Sequence, residues 1–387
     1  MSSLLGIGIL LLMASPSGIA QQERPSPPRQ RIQAPEVAAR TEPPPTKFFY
    51  PTGPSMYVPL PANPSVFDTS QHKIRVVTVA NGLSRPFAIA FLPDGRMLVS
   101  ERTGQLRVIR NGVLDPHPIS GVPEVVARSY QGLMDLLPHP NFAENRLLYL
   151  TYSKRGPNDS AAIALARGRL EGMELKYVRD LFVAEKWTVN SPTLGSRIVF
   201  GPDGLLYMAV ASPGNEWERA QDPSNHQGKV LRLRDDGTAA PDNPFVGRAG
   251  YKPEIFTLGH RNPLGLAVHP QSGAIFENEN GPQGGDEINI LKPGANYGWP
   301  TVSQGRDYSG RYYPSHHELP GFEPPFVYWN PAIAISGMTF YTGEKFPKWK
   351  GNIFVGSLAY AHLERVDRKS TRLNSSHIQK SRMPSSA

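Results

Sequence analysis

The chain has 387 residues, including 36 glycines and 40 prolines, and it has no cysteine. This length suffices for one large β-rich domain or two ordinary ones, and the lack of cysteine excludes disulfides, thiol catalysis and thiolate metal sites. The formal net charge is +8, but residues 368–387 hold five basic and no acidic residues, and residues 21–50 hold five basic and three acidic ones. The rest of the chain is close to neutral, which argues against a nucleic-acid-binding surface.

The first 20 residues predict a signal peptide. An apolar run from Leu4 to Met13 is followed by small residues, which is typical of a protein exported to the periplasm or secreted. The run is too short to span a bilayer, and no other segment predicts a membrane span. Residues 21–68 predict a disordered linker, because twelve prolines fall between residues 21 and 65 and proline disfavours both helix and sheet pairing.

From residue 69 onwards one pattern recurs. A short apolar strand, a turn rich in Pro, Asp, Asn or Gly, and a second apolar strand form a hairpin signature. It occurs five times, at intervals of 47 to 79 residues, with turns at Asp94, Asn141, Asp203, Gln271 and Lys350. One such hairpin for each four-stranded unit predicts an all-β β-propeller over residues 69–367. A large β-sandwich or two small barrels are the alternatives, although neither usually repeats one hairpin at such a period.

The last segment, residues 368–387, is polar and Ser-rich and has no strand pattern. We interpret it as a disordered, non-native tail. The propeller is therefore expected to be truncated in its last blade.

The loop that includes "NENGPQGGDEIN", residues 278–289, concentrates carboxylates, amides and glycines directly after an apolar strand. Carboxylate and backbone oxygens are the ligands that calcium prefers, and glycine lets backbone carbonyls approach an ion closely. From the residues alone, the loop is either a solvated turn or a metal site.

Four segments together resemble the soluble aldose and glucose dehydrogenases that depend on pyrroloquinoline quinone (PQQ), the glucose/sorbosone dehydrogenase family. They are "QGKVLRLRDDGTAAPDNPF" (227–245), "LGHRNPLGLAVHP" (258–270), "NGPQGGDEIN" (280–289) and "NYGWP" (296–300). The resemblance covers roughly residues 76–367 and implies a six-bladed propeller with PQQ and calcium on its axis. It also implies oxidation of an aldose at its anomeric carbon to a lactone, with electrons passed to an external acceptor.

The resemblance assigns roles to particular residues. Arg261 is the catalytic residue, because its guanidinium would face the quinone oxygens and stabilise charge that develops on reduction. The other cofactor-contacting positions match Gln131, Asn262, Asn280 and Tyr308. The carbonyls of Gly281 and Pro282 match ligands of the cofactor's calcium ion. The Glu287 side chain and the Tyr297 carbonyl match ligands of a second, structural calcium ion.

Three positions depart from the family pattern. Thr193 stands where the family has its base, a histidine; Ser212 replaces the acid that orients that histidine, and Ala359 replaces a lysine that meets the cofactor. Threonine has no side-chain pKa suited to a base near neutral pH. Glu216 or His226 could replace the base, although His226 is more simply explained as a loop residue at a blade edge.

Two hypotheses about function follow. The first is a working PQQ-dependent sugar dehydrogenase with an altered base. The second is a secreted propeller of the same family that has lost catalysis and binds carbohydrate or another ligand. A lactonase-like metal hydrolase is a third possibility, but the carboxylate and amide ligands of such a centre cannot be assembled from this sequence.

Overall fold

A computed structural model describes residues 64–185, 187, 195–212, 216–306, 317–360 and 362–367. The predicted signal peptide, most of the predicted linker and the predicted tail lie outside these residues, as do Thr193 and Tyr308. All the described residues belong to one compact unit. No helix among them is both long and apolar enough to cross a bilayer.

Five antiparallel sheets follow one another along the chain, and each one begins with one of the five predicted hairpins. Blade 1 consists of β3 (Pro86–Phe91), β4 (Met97–Glu101), β5 (Leu106–Arg110) and β6 (Val113–Leu114). Blade 2 consists of β7 (Leu133–Pro138), β8 (Leu147–Arg155), β9 (Ala161–Glu171) and β10 (Glu174–Val183). Blade 3 consists of β11 (Ile198–Phe200), β12 (Leu206–Val210), β13 (Lys229–Leu233) and β14 (Ile255–Leu258).

Blade 4 consists of β15 (Pro263–Val268), β16 (Ile275–Glu279), β17 (Asp286–Ile290) and β18 (Val327–Trp329). Blade 5 has three strands: β19 (Ile335–Phe340), β20 (Ile353–Ser357) and β21 (His362–Val366). Helical structure among the described residues is limited to α1 (Phe142–Asn145) and three short 3-10 turns, at Pro157–Asp159, Trp217–Ala220 and Pro347–Trp349.

A separate hairpin precedes the blades. It pairs β1 (Ser65–Asp68) with β2 (Lys73–Val76). Its His72 ring packs on Phe346 and Trp349 of blade 5, with ring centres 5.4 and 5.1 Å apart. β1 lies inside the segment that the sequence predicted to be a disordered linker, so residues 65–68 of that segment form a strand instead. The strand begins directly after Pro64, the last of the twelve prolines, so no proline interrupts its pairing with β2.

Apolar side chains hold neighbouring blades together, because successive residues of a strand point to opposite faces of its sheet. In β8, Leu148 and Leu150 join the core shared by blades 1 and 2, whereas Tyr149 between them joins the core shared by blades 2 and 3. Similar cores lie between blades 3 and 4 and between blades 4 and 5. This packing confirms the all-β class and the propeller architecture.

The fold is open on one side in the part of the chain that the structure describes. No shared apolar core joins blade 5 to blade 1 among these residues. On β3, Ala88 and Ala90 pack toward blade 2, while Ile89 and Phe91 on the other face are 52% and 72% exposed. The described residues thus form five blades, and the sixth blade stays a prediction.

Because the strands are antiparallel, each blade has one end where its first strand begins and its second strand ends. We call this end the upper edge. Hydrogen bonds join the upper edges of successive blades: Gly195 N–H donates to Asn262 Oδ1 at 3.1 Å, and Asn280 Nδ2 donates to the Ile335 carbonyl at 2.7 Å. The upper edges of blades 3, 4 and 5 therefore form one continuous surface.

Candidate functional site

Two of the predicted motifs meet at the upper edge of blade 4. Arg261 lies just before β15, and the loop after β16 begins at Asn280. The Arg261 guanidinium donates through Nη1 to the carbonyls of Asn280 and Gly281, both at 3.0 Å. Its Cζ also lies 5.3 Å from the ring centre of Trp299, in the "NYGWP" segment. Residues from three separate segments, which the sequence analysis linked only through the family resemblance, are therefore in direct contact.

Glu279 holds the loop that carries Arg261. Its Oε2 accepts the backbone N–H of Arg261 and, at 3.1 Å, that of Asn262, while Oε1 lies 3.1 Å from His260 Nδ1. Hydrogen bonds to a carboxylate are stronger than those between neutral groups. No role for Glu279 was predicted from the sequence. The available signal was its position as the last residue of β16, directly opposite Pro263 in the paired strand.

The two predicted cofactor-contacting asparagines hydrogen-bond each other. Asn262 Nδ2 donates to Asn280 Oδ1 at 3.1 Å. Asn280 uses its own amide to reach the Ile335 carbonyl, so it connects blade 4 to blade 5. Asn280 therefore acts first as a bridge between blades.

The loop from Gly281 to Gly285 can be built only with glycine at critical points. A Cβ on Gly281 would lie 2.1 Å from the Gly284 carbonyl oxygen, a separation that no real side chain tolerates. Gly285 has φ of +74°, a region that favours glycine. The tight turn brings several carbonyl oxygens together at the upper edge.

Asp286 supports this turn from beneath. Its Oδ1 accepts the Gly281 N–H, and its Oδ2 accepts the N–H groups of Ile333 and Ile335, all at 2.9 Å. Burial raises the pKa of Asp286 to about 6, while these three backbone donors act in the opposite direction. With both oxygens committed, Asp286 is a structural tie between blades 4 and 5.

A buried group of carboxylates lies beside the turn. Asn289 Nδ2 donates to Glu287 Oε1 at 2.9 Å and to Glu277 Oε2 at 3.0 Å, and it lies 3.4 Å from Glu279 Oε1. Burial, followed by the negative charge of Glu279, raises the pKa of Glu277 well above its ordinary value, and the same two causes raise the pKa of Glu287. Ionising these neighbouring carboxyl groups is therefore costly, and a bound cation would lower that cost.

A small pocket opens where these groups meet. Its volume is about 20 Å³, enough for one water molecule or an ion of similar size. The lining residues are Arg261, Glu279, Asn280, Gly281, Gly285, Glu287, Tyr297, Trp299, Val302 and Ser303. Among the described residues, the carbonyls of Pro282 and Tyr297 accept no hydrogen bond. Carboxylate and unused carbonyl oxygens are the types of ligand that calcium prefers.

The remaining predicted positions lie at upper edges or outside the described residues. Gln131 is 3% exposed and immediately precedes blade 2. Ser212 donates its N–H to the Arg261 carbonyl at 2.9 Å, so the position assigned to the family's acid adjoins the site. Ala359 donates its N–H to the Ile333 carbonyl at 3.1 Å. The positions of Thr193 and Tyr308 lie outside the described residues.

The two residues considered as replacement bases have structural partners. The His226 ring accepts the Glu185 N–H through Nδ1 at 3.0 Å, and its Nε2 lies 3.3 Å from a Glu254 carboxylate oxygen. This agrees with the interpretation of His226 as a loop residue. Glu216 forms an ion pair with Arg219.

Comparison with known proteins identifies the family of this chain. The sequence model of the family described as "Glucose / Sorbosone dehydrogenase" matches residues 83–383. Aldose sugar dehydrogenase YliI of Escherichia coli (strain K12) is 39% identical over 307 residues, which make up 78% of this chain and 82% of that protein.

Two solved structures have the same fold. The apo form of the soluble aldose sugar dehydrogenase from Escherichia coli has a TM-score of 0.74 and 37% identity, covering 82% of this chain and 89% of that one. The PQQ-bound aldose sugar dehydrogenase from Streptomyces coelicolor has a TM-score of 0.63 and 27% identity, covering 82% and 85%. On the family match and the extent of these similarities, the chain belongs to the glucose/sorbosone dehydrogenase family.

Proposed function

We propose that this protein is a PQQ-dependent sugar dehydrogenase that oxidises an aldose at its anomeric carbon to a lactone. The observation that carries the proposal is the contact of the Arg261 guanidinium with the Gly281 carbonyl at 3.0 Å. It joins the residue expected to meet the quinone to the turn expected to hold the cofactor's calcium ion. A relative described as an aldose sugar dehydrogenase and one solved in a PQQ-bound form support the same chemistry.

The chain's own residues would bind and polarise the cofactor. When bound, PQQ supplies the acceptor for the two electrons of the hydride. Arg261 places a permanent positive charge at the site, where it stabilises negative charge developing on a quinone oxygen. Asn262 lies beside it as a neutral hydrogen-bonding group, and Gln131 lies at the upper edge of blade 2. Glu279 fixes the backbone of Arg261 and Asn262, so it is a positioning residue.

We propose that two calcium ions bind to oxygens at the upper edge of blade 4. The Gly281 and Pro282 carbonyls would hold the ion that accompanies the cofactor. Glu287 and the Tyr297 carbonyl, which line one pocket, would hold a second ion with a structural role. The buried carboxylates support this assignment, because a divalent cation would offset the repulsion that raises the pKa of Glu277 and Glu287.

A catalytically inactive, secreted binding protein is the second candidate. The observation that favours it is Ser212, which adjoins Arg261 but offers a hydroxyl in place of the family's acid. Ala359 likewise offers no amine. In this alternative the upper edge still binds a cofactor or a carbohydrate, but no proton acceptor assists hydride transfer.

The test is reconstitution with calcium and PQQ, followed by dye reduction with an aldose, the dye acting as the external electron acceptor. We expect turnover by the wild type and at least a hundredfold loss of kcat in Arg261→Ala, since removing one preorganised donor typically costs about 10²–10³. Arg179→Ala, on the exposed outer strand of blade 2, is the matched control and should keep full activity.

Each outcome decides between the candidates. Arg261 has no role at the reaction centre if Arg261→Ala retains wild-type activity. Tight PQQ binding without turnover by the wild type would favour the binding protein. Failure of the wild type to bind PQQ, measured by titration of its absorbance, would exclude the dehydrogenase.

A further inference from the structure

Blade 1 repeats, at its upper edge, the backbone arrangement that holds the candidate site in blade 4. In blade 4, Glu279 ends β16 and accepts the N–H of Arg261, two residues before the proline that begins β15. In blade 1, Glu101 ends β4 and accepts the N–H of Ser84 at 2.6 Å, again two residues before the proline that begins β3. The two upper edges therefore share this hydrogen bond and its spacing from the proline. They differ in that Arg85 has φ of +50° and that Glu279 also accepts the N–H of Asn262.

This correspondence gives two arginines of blade 1 a defined place. The Arg102 N–H donates to the Arg85 carbonyl at 3.0 Å, as the Asn280 N–H donates to the Asn262 carbonyl at 3.2 Å in blade 4. Arg85 and Arg102 thus occupy the positions of Asn262 and Asn280. Since those asparagines are the expected cofactor contacts of blade 4, the two arginines lie where blade 1 would contact a ligand.

Arg102 also adjoins the loop that carries Gln131, the expected cofactor contact of blade 2. A Cβ on Gly132 would lie 2.0 Å from the Arg102 carbonyl oxygen, so the two loops are in direct backbone contact. The Arg102 Cζ lies 5.8 Å from the ring centre of Tyr130. The arginine pair therefore borders the proposed cofactor site.

The positive charge of this pair is not neutralised within the described residues. Neither Arg85 nor Arg102 forms an ion pair or a side-chain hydrogen bond with an acidic residue there. On the neighbouring upper edge of blade 2, by contrast, Arg128 and Arg155 share the carboxylate of Asp159.

The two side chains differ in exposure but influence each other. Arg85 is exposed and Arg102 is half-buried. Burial, and then the like charge of Arg85, lowers the pKa of Arg102, although an arginine stays charged at any ordinary pH. Two cations held together without an acid are an arrangement that an anionic ligand would relieve.

We propose that Arg85 and Arg102 bind a carboxylate at the upper edge of blade 1, carried either by an acidic aldose, a uronic acid, or by the cofactor. The proposal rests on the proposed function for the nature of these ligands. A planar guanidinium matches a carboxylate through two parallel hydrogen bonds, which lysine cannot provide. A uronic acid keeps the anomeric carbon intact, so it remains a substrate for the same oxidation.

The experiment compares wild type, Arg102→Met, Arg85→Met and Arg155→Met, each reconstituted with calcium and PQQ. The readouts are kcat/KM for glucose and for glucuronate, calorimetric binding of glucuronate, and the dissociation constant of PQQ. Arg155→Met is the control, because it removes one exposed charge from the next upper edge while Asp159 keeps Arg128 as a partner. Melting curves verify that each variant folds. Arg102→Lys replaces Arg102→Met in the comparison if Arg102→Met does not fold.

If the carboxylate belongs to the substrate, Arg102→Met loses roughly ten- to hundredfold in kcat/KM and affinity for glucuronate, with glucose unchanged. If the carboxylate belongs to the cofactor, the dissociation constant of PQQ rises by a similar factor. The ratio of kcat/KM for glucuronate to kcat/KM for glucose is then unchanged. Arg85→Met shows the same direction with a smaller effect, because that side chain is more exposed. The proposal is overturned if both the sugar ratio and PQQ binding match the control. A wild type that binds these ligands without turnover would contradict the dehydrogenase while leaving this site intact.

Discussion

Blade 4 and blade 1 share one backbone arrangement at their upper edges but differ in what covers them. In blade 4, the first strand is flanked by blades 3 and 5. Its Leu266 and Val268 pack against the core shared with blade 3. In blade 1, the corresponding residues are Ile89 and Phe91, which are largely exposed in the described structure. The hydrogen bonds of an upper edge are thus set by its own strand pair, whereas burial depends on the adjoining blade.

The glutamate that ends the second strand, Glu101 in blade 1 and Glu279 in blade 4, has different charged neighbours in the two blades. Glu101 of blade 1 lies 3.6 Å from the guanidinium of Arg107. In the described chain, His260 is the one basic side chain recorded within ion-pair distance of Glu277 and Glu279 in blade 4. Blade 1 supplies its own counter-charge, while blade 4 gathers more negative charge than its protein partners offset. A cation bound in blade 4, as proposed above, would supply the counter-charge that these side chains lack.

The largest expected effect comes from removing the carboxylate on which the site of blade 4 depends. Glu279→Ala should lower kcat/KM for dye-linked aldose oxidation at least about a hundredfold, because small displacements of a positioned group can cost this much. Glu279→Gln keeps one acceptor oxygen for the Arg261 and Asn262 N–H groups and should lose less. Glu101→Ala, at the same point of blade 1, should lose less than tenfold with glucose. Equal losses of kcat/KM in Glu279→Ala and Glu101→Ala would contradict the different roles assigned to the two blades.

Calcium removal should have the next largest effect. Without PQQ, a chelator should lower the melting temperature by roughly 5–10 °C, since an ion at a hundredfold excess over its dissociation constant stabilises by about 2.7 kcal/mol. Glu287→Gln is the matched variant and should respond much less, because one proposed ligand is weakened. Calorimetry or circular dichroism gives the readout. Identical melting curves for the wild type with and without chelator would count against the structural ion.

The smallest expected effects are on stability, and they distinguish β15, which is covered by blade 3, from β3, which is exposed on one face. Val268→Ser should lower the free energy of unfolding by about 1–2 kcal/mol, because it removes apolar contacts and places a hydroxyl group in a packed position. Phe91→Ser should change it by less than about 0.5 kcal/mol, as for most exposed positions. Denaturant unfolding measures both. A large loss for Phe91→Ser would show that β3 is covered in solution, which would favour a further blade against this face.

The sequence predicted the inner half of each blade and missed the outer half. The first two strands of a blade are predicted from a turn between two apolar runs, such as Pro93-Asp94-Gly95 in blade 1. Such a turn is a local signal. In blade 1, the turn Asn111-Gly112 between β5 and β6 is an equally local signal that was not among the predicted turns. Some outer strands of other blades, such as β14 (Ile255–Leu258), are reached through long connections. Their place in a blade depends on pairing with distant segments, which no local pattern specifies.

The candidate site shows the same limit. Arg261 and Gly281 belong to recognisable contiguous motifs, so the sequence could indicate them. Glu279 acts by accepting backbone N–H groups from another strand, a role fixed by the register that sets it opposite Pro263. Similarly, the partner of His226 is Glu254, a pairing that spacing alone does not reveal. Long-range register, more than residue type, separates what was predicted from what was missed.

The tie made by Asp286 has a consequence for how the protein matures. One carboxylate oxygen supports the glycine turn of blade 4, and the other accepts two N–H groups that enter blade 5. The two hydrogen bonds from blade 5 to Asp286 can form only after residues 333–335 have been synthesised and have docked. Uptake of the proposed cofactor would thereby be linked to the order of assembly, because a chain halted before this point would lack these two supports of the Asp286 carboxylate.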